Sequence, residues 1–139
     1  MGWVGFDFDG TLARHTGDID TCGPPIPAMV DRVRALLAKG VEVRIVTARV
    51  ASVNGLRMVK VQTDLVQLWC MRNLFVRLRV TAEKDYLMIA LYDDRAIAVE
   101  TDTGIVMGGY DIATTSQEEH DGHIWTAESA KLEREVKDV

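Results

Sequence analysis

The stretch Trp3-Val4-Gly5-Phe6-Asp7-Phe8-Asp9-Gly10-Thr11-Leu12 decides how this chain reads. Its first half is apolar and aromatic, the signature of a buried strand, and it runs straight into turn-forming Asp9-Gly10-Thr11. Two carboxylates therefore stand where a strand stops. Downstream, the prolines Pro24, Pro25 and Pro27 precede a helical spacing of apolar residues (Met29, Val30, Val33, Leu36, Leu37) that ends at Gly40. Residues 41–46 read as a second strand delivering Thr47-Ala48-Arg49 at its end. After Asn54-Gly55, residues 56–75 carry Val59, Leu65, Val66, Leu68, Trp69 and Phe75 near a helical period, which predicts a long helix.

Residues 76–80 alternate apolar side chains with Arg77 and Arg79 and read as a third strand. Residues 87–92 form an apolar run typical of a buried fourth strand ending at Asp93-Asp94. Residues 96–100 and 105–107 flank Thr101-Asp102-Thr103-Gly104 and predict a closing hairpin, and a short helix is expected at 125–136. Strands alternating with helices imply an α/β fold with a mostly parallel sheet covered on both faces, three layers in all. Such sheets bind ligands beyond the carboxyl ends of their strands. That edge gathers Asp7 and Asp9, Thr47, and Asp93 with Asp94.

Composition narrows the classes. A chain of 139 residues, 47% apolar, can build one hydrophobic core. A single domain is expected, with its core at about 3–108 and a polar segment at 109–139. No apolar run approaches the roughly 20 residues of a membrane span, and no signal-peptide pattern opens the chain. Cys22 and Cys70 have no metal-like spacing, so a reducing cytoplasm fits. The formal charge of -5 disfavours general nucleic-acid binding. His120 and His123 lie in a polar, Gly- and Glu-rich segment and read as solvated.

The converging residue types suit phosphate chemistry. A carboxylate can attack an anionic phosphate ester only where a cation offsets the repulsion, and Mg²⁺ held by oxygen ligands does so. Asp7, the main-chain carbonyl of Asp9, and Asp93 would hold it, with Asp94 as a further or alternative contact. Asp7 can then form an aspartyl phosphate, and Asp9 can serve as general acid and base. Gly10 permits close backbone approach to the phosphoryl group. Thr47 offers a hydroxyl and a main-chain N–H, and Lys84 a compensating cation. Thr11, Ala48 and Arg49 complete the expected substrate contacts, although Arg49 reads equally well as a structural partner of a carboxylate.

Phe6-Asp7-Phe8-Asp9-Gly10-Thr11-Leu12 resembles the first motif of the haloacid dehalogenase superfamily of phosphatases. Ile45-Val46-Thr47 looks like its second motif and Leu91-Tyr92-Asp93-Asp94 like its acidic fourth, and the similarity runs over about 3–100. The resemblance implies a Rossmann-like core, Mg²⁺, and the roles given above for Asp7, Asp9, Thr47 and Asp93. Thr47-Ala48-Arg49, Lys84-Asp85-Tyr86 and Asp93-Asp94-Arg95-Ala96 look like a group of short phage and bacterial members. The presence of Asp9 points to phosphate handling rather than dehalogenation. One departure concerns Lys84, which stands nine residues before Asp93, where the family places a helix between its third-motif lysine and the acidic motif.

The spacings leave no room for a cap domain, so an open site is expected, taking a small phosphorylated molecule or a nucleic-acid end. A polynucleotide end-processing phosphatase using the basic cluster Arg72, Arg77, Arg79 and Lys84 stays open as a reading, as does a non-catalytic phosphate-binding module of the same fold. No membrane partner is expected. The apolar stripe around Leu65, Leu68, Trp69 and Met71 reads first as core, yet is compatible with a homo-oligomer.

Overall fold

The computed structural model describes residues 2–114. Within the chain two compact units divide after Asp94, Met1–Asp94 and Arg95–Val139, and each is described by itself. The expected helix at 125–136 and both histidines, His120 and His123, lie outside the described residues.

The first unit is an α/β structure. Strand β1 (Trp3–Asp7) leads to helix α1 (Pro27–Ala38), then β2 (Glu42–Val46), two short 3-10 turns, helix α2 (Leu56–Leu74), β3 (Arg79–Thr81) and β4 (Met88–Tyr92). All pairings are parallel and the strand order is β3-β2-β1-β4. Helix α2 lies almost where its period predicts. The third strand lies later than residues 76–80, because Val76 and Leu78 pack with the core and pairing begins only where Arg79 comes into register with Arg44.

Val4 and Phe6 of β1 pair in register with Val43 and Ile45 of β2, so all four project from one face of the sheet. The same core holds Val30 and Val33 of α1 and Val66, Trp69, Cys70 and Leu74 of α2. Both helices thus cover one face. The physical reason is handedness: β1-α1-β2 and β2-α2-β3 step the same way across the sheet, and two right-handed crossovers in one direction place both helices on one side.

The return from β3 to β4 would put a helix on the other face, but residues 82–87 contain none. Instead this connection ties itself to the bare face through Asp85, whose carboxylate accepts from Trp3 Nε1 at 2.7 Å and from an Arg44 guanidinium N–H at 3.1 Å. Arg44 also pairs with Glu42 and lies over the Trp3 ring at 4.4 Å. Trp3 in turn lies across Gly5, where a Cβ would come within 2.9 Å of both Leu91 and Val46 side chains. Within this unit the three layers expected from the sequence are therefore two, with an indole-guanidinium layer where the third would stand.

The second unit contains an antiparallel hairpin, β5 (Ala98–Val99) with β6 (Val106–Met107), turning through Asp102 and Gly104 at positive φ. No helix among the described residues is long and apolar enough to cross a membrane.

Candidate active site

Strand order reverses at β1: β2 and β3 lie to one side and β4 to the other. Such a switch point leaves a crevice at the carboxyl ends of the strands. Asp7 closes β1 there and Asp93-Asp94 follows β4. One oxygen from each of Asp7, Asp93 and Asp94 lies within 4.8 Å of the others.

The turn after β1 shapes this cluster. The Phe8 carbonyl accepts from the amides of Thr11, Leu12 and Ala13 at 3.0–3.2 Å, folding residues 8–13 tightly. Gly10 sits at φ +87°, and a Cβ there would meet Asp94 Oδ2 at 2.7 Å. A residue with a side chain would push Asp94 away. Thr11 Oγ1 lies 3.0 Å from Asp94 Oδ1 and 3.3 Å from Asp7 Oδ2, and accepts from the Asp94 amide at 3.0 Å. Since a hydroxyl has one proton, it donates to one of the two carboxylates at a time. Burial first, then a hydrogen bond with Asp94 and the charges of Asp93 and Asp94, push the Asp7 carboxyl up from 3.8 to about 7, against a lowering hydrogen bond from the Phe8 backbone. A cluster of hard oxygen donors whose own charges resist ionisation fits a divalent cation such as Mg²⁺.

The Asp9 carboxylate is not part of that cluster. It faces Arg49, whose Nε donates to Oδ2 at 2.7 Å and Nη2 to Oδ1 at 2.8 Å. The same guanidinium donates to the Ile19 carbonyl (2.7 Å), the Thr21 carbonyl (2.7 Å) and Gln62 Oε1 (2.9 Å). All five of its N–H donors are committed within the protein and Arg49 is only 6% exposed. The expected substrate contact by Arg49 is corrected accordingly: the geometry is that of a structural partner of Asp9.

Thr47 is buried at the end of β2, and its hydroxyl accepts from the Arg49 amide at 3.2 Å, capping the first 3-10 turn. Its main-chain N–H, expected to meet a phosphoryl oxygen, donates instead to the Thr81 carbonyl at 2.8 Å, continuing the sheet. The hydroxyl proton is what Thr47 retains for a ligand. Ala48 opens the turn and is exposed.

Lys84 is not brought to Asp7. Its neighbour Asp85 is anchored to Trp3 at the opening of β1, and the Trp3 amide donates to the Leu87 carbonyl, so the connection carries Lys84 toward the amino edge of the sheet. Of the basic cluster, Arg72 and Arg77 precede β3 and approach that amino edge too, Arg77 donating to Gln67.

One residue of the network escaped the sequence reading. Gln62 is 2% exposed, its Oε1 accepting from Arg49 and its Nε2 donating to the Ile19 carbonyl at 2.9 Å. The signal was a polar residue on the inward helical spacing Gln62, Val66, Trp69.

No protein-family model matches this sequence. No curated protein matches it either. A solved structure described as a conserved protein from Bacteroides thetaiotaomicron aligns with a TM-score of 0.48 at 17% identity, covering 94% of this chain and 96% of that one.

Proposed function

We propose that the chain is a Mg²⁺-dependent phosphomonoester hydrolase of the haloacid dehalogenase type, working through an aspartyl phosphate on Asp7. The observation that carries this reading is the approach of the Asp7, Asp93 and Asp94 carboxylates at the carboxyl edge of the sheet, beside a turn whose Gly10 lets Asp94 come close. Mg²⁺ held by Asp7, Asp93 and Asp94, with the Asp9 carbonyl as the resemblance implies, would neutralise the incoming phosphate and keep Asp7 ionised.

Asp7 attacks phosphorus, the bond to the leaving oxygen breaks, and Asp9 supplies that oxygen with a proton. Asp9 then takes a proton from the water that cleaves the acyl phosphate, restoring Asp7 and releasing phosphate. For both steps Asp9 must turn part of its carboxylate from Arg49 toward the substrate. The Thr47 hydroxyl donates to a phosphoryl oxygen. The substrate is a phosphomonoester, a small molecule or a nucleic-acid end, and two unpaired thiols, Cys22 and Cys70, suit a reducing cytoplasm.

The test is phosphate release from an aryl phosphate and a panel of phosphomonoesters, with and without EDTA. Activity that needs Mg²⁺ and drops to background in Asp7→Asn supports the proposal. Equal activity in Asp7→Asn, or none in the native chain across the panel, overturns it.

A further inference from the structure

Helix α2 turns Gln62, Val66, Trp69 and Cys70 inward, and its exposed side mixes apolar residues with the charged Arg57, Lys60, Asp64 and Arg72. Val61, Leu68, Met71 and Phe75 are 52%, 46%, 48% and 78% exposed. Val61, Leu68 and Phe75 fall on one stripe with exposed Asp64 and Arg72, at helical spacings of three and four residues. Neither Asp64 nor Arg72 joins an ion pair among the described residues.

The stripe is symmetric about Leu68. Val61 and Phe75 each stand seven residues from it, and Asp64 and Arg72 each stand four. When such a helix is laid antiparallel on a copy of itself with the two-fold axis through Leu68, like meets like and opposite charges meet. Leu68 opposes Leu68, Val61 opposes Phe75, and Asp64 opposes Arg72 twice over. A two-fold interface requires this self-complementarity, residue i meeting j while j meets i. Phe75 adds a second sign: it ends the helix in the left-handed conformation, φ 58°, a position that favours glycine, yet presents an aromatic ring to solvent. Beyond the nearby Arg34 guanidinium, 5.9 Å from the ring centroid, no ring contact covers it among the described residues.

We infer that α2 is the contact of an isologous homodimer in which two copies pair antiparallel across Leu68. The occupant is a second copy of this chain because the pattern of charge and apolar residues is complementary to its own reversal. A single helix pair falls at or below the roughly 1,200 Å² of a standard interface, so the dimer forms by mass action in the micromolar range rather than permanently.

Sedimentation velocity of the full chain across about 5–500 µM tests this. The mass is expected to rise from monomer to dimer. Leu68→Glu, which opposes two carboxylates on the axis, is expected to keep the chain monomeric throughout. Asp64→Arg is expected to raise the dissociation constant about tenfold or more, and Asp64→Arg with Arg72→Asp to return it to within about threefold of native, because the swap restores both pairs. Circular dichroism and the unfolding midpoint check that the variants are folded, and the charge swap carries the test alone if Leu68→Glu is not. A monomeric mass at every concentration overturns the inference and gives the stripe to another part of the chain or to a different protein. So does a dimer that the Asp64 and Arg72 variants leave unchanged.

Discussion

Arg49 grips the Asp9 carboxylate through two parallel hydrogen bonds, 2.7 Å and 2.8 Å, from a side chain that has no other N–H to offer. The pair joins the turn after β1 to the 3-10 turn after β2, and Gln62 joins both to α2. Asp9 is thereby fixed in orientation by a planar fork of two donors, where a carboxylate without such a partner would rotate freely.

Removing the buried Arg49 leaves the part-buried Asp9 carboxylate, Gln62 and two main-chain carbonyls without their donor. Arg49→Ala is expected to lower unfolding stability by roughly 3–5 kcal/mol in denaturant titrations. Arg49→Lys should recover only part, since an ammonium lacks the planar fork that meets both carboxylate oxygens. A loss below about 1 kcal/mol for Arg49→Ala would show that the network relaxes around water.

Gly10→Ala is expected to disturb the acidic cluster more than the fold. The added methyl would fall 2.7 Å from Asp94 Oδ2 at a backbone φ of +87°. A destabilisation of roughly 1–3 kcal/mol follows from the backbone conformation. If Asp94 contacts the cation, the Mg²⁺ concentration for half-maximal phosphate release should rise about tenfold or more, by analogy with losses of supporting contacts at metal sites. Magnesium titrations of the variant against the native chain read this directly.

Metal-free stability should fall as pH rises from 3.8 through about 7, the two values of Asp7 in its free and folded environments. Between them the native state keeps a proton that the unfolded chain has released, so stability declines with rising pH and the deficit is complete above the folded value. In metal-free buffer at pH 8, Asp7→Asn should melt higher than the native chain by on the order of 5 °C, with the gap closing toward pH 4. Added Mg²⁺ should raise the native midpoint more than that of the variant. Thermal melts across pH check all three outcomes.

Lys84→Ala should leave phosphate release within about twofold of native, as an exposed substitution remote from the chemistry does. A tenfold fall in kcat would return Lys84 to the site and require the connection between β3 and β4 to move.

The turn and the long helix were legible because both are local. Asp7-Phe8-Asp9-Gly10-Thr11 carries its own strand end, and the spacing over 56–75 lies almost on the observed Leu56–Leu74. The third strand was legible only in part, since alternation over 76–80 does not reveal where pairing with Arg44 begins. Gln62 was visible as a polar residue on an inward stripe, but its partner was not.

The sequence by itself determined the alternation of strands and helices, the parallel sheet, and the carboxylates at its strand ends, because period and turn chemistry act over a few residues. Tertiary structure alone decided that both helices share one face, that Asp85 rather than a helix ties down the other, and that Asp9 faces Arg49. These depend on crossover handedness and on side-chain contacts between residues 40 or more positions apart, such as Asp9 with Arg49 and Trp3 with Asp85. Only the folded chain selects such pairs, because each charged or polar group must find its partner among all those the sheet brings within reach.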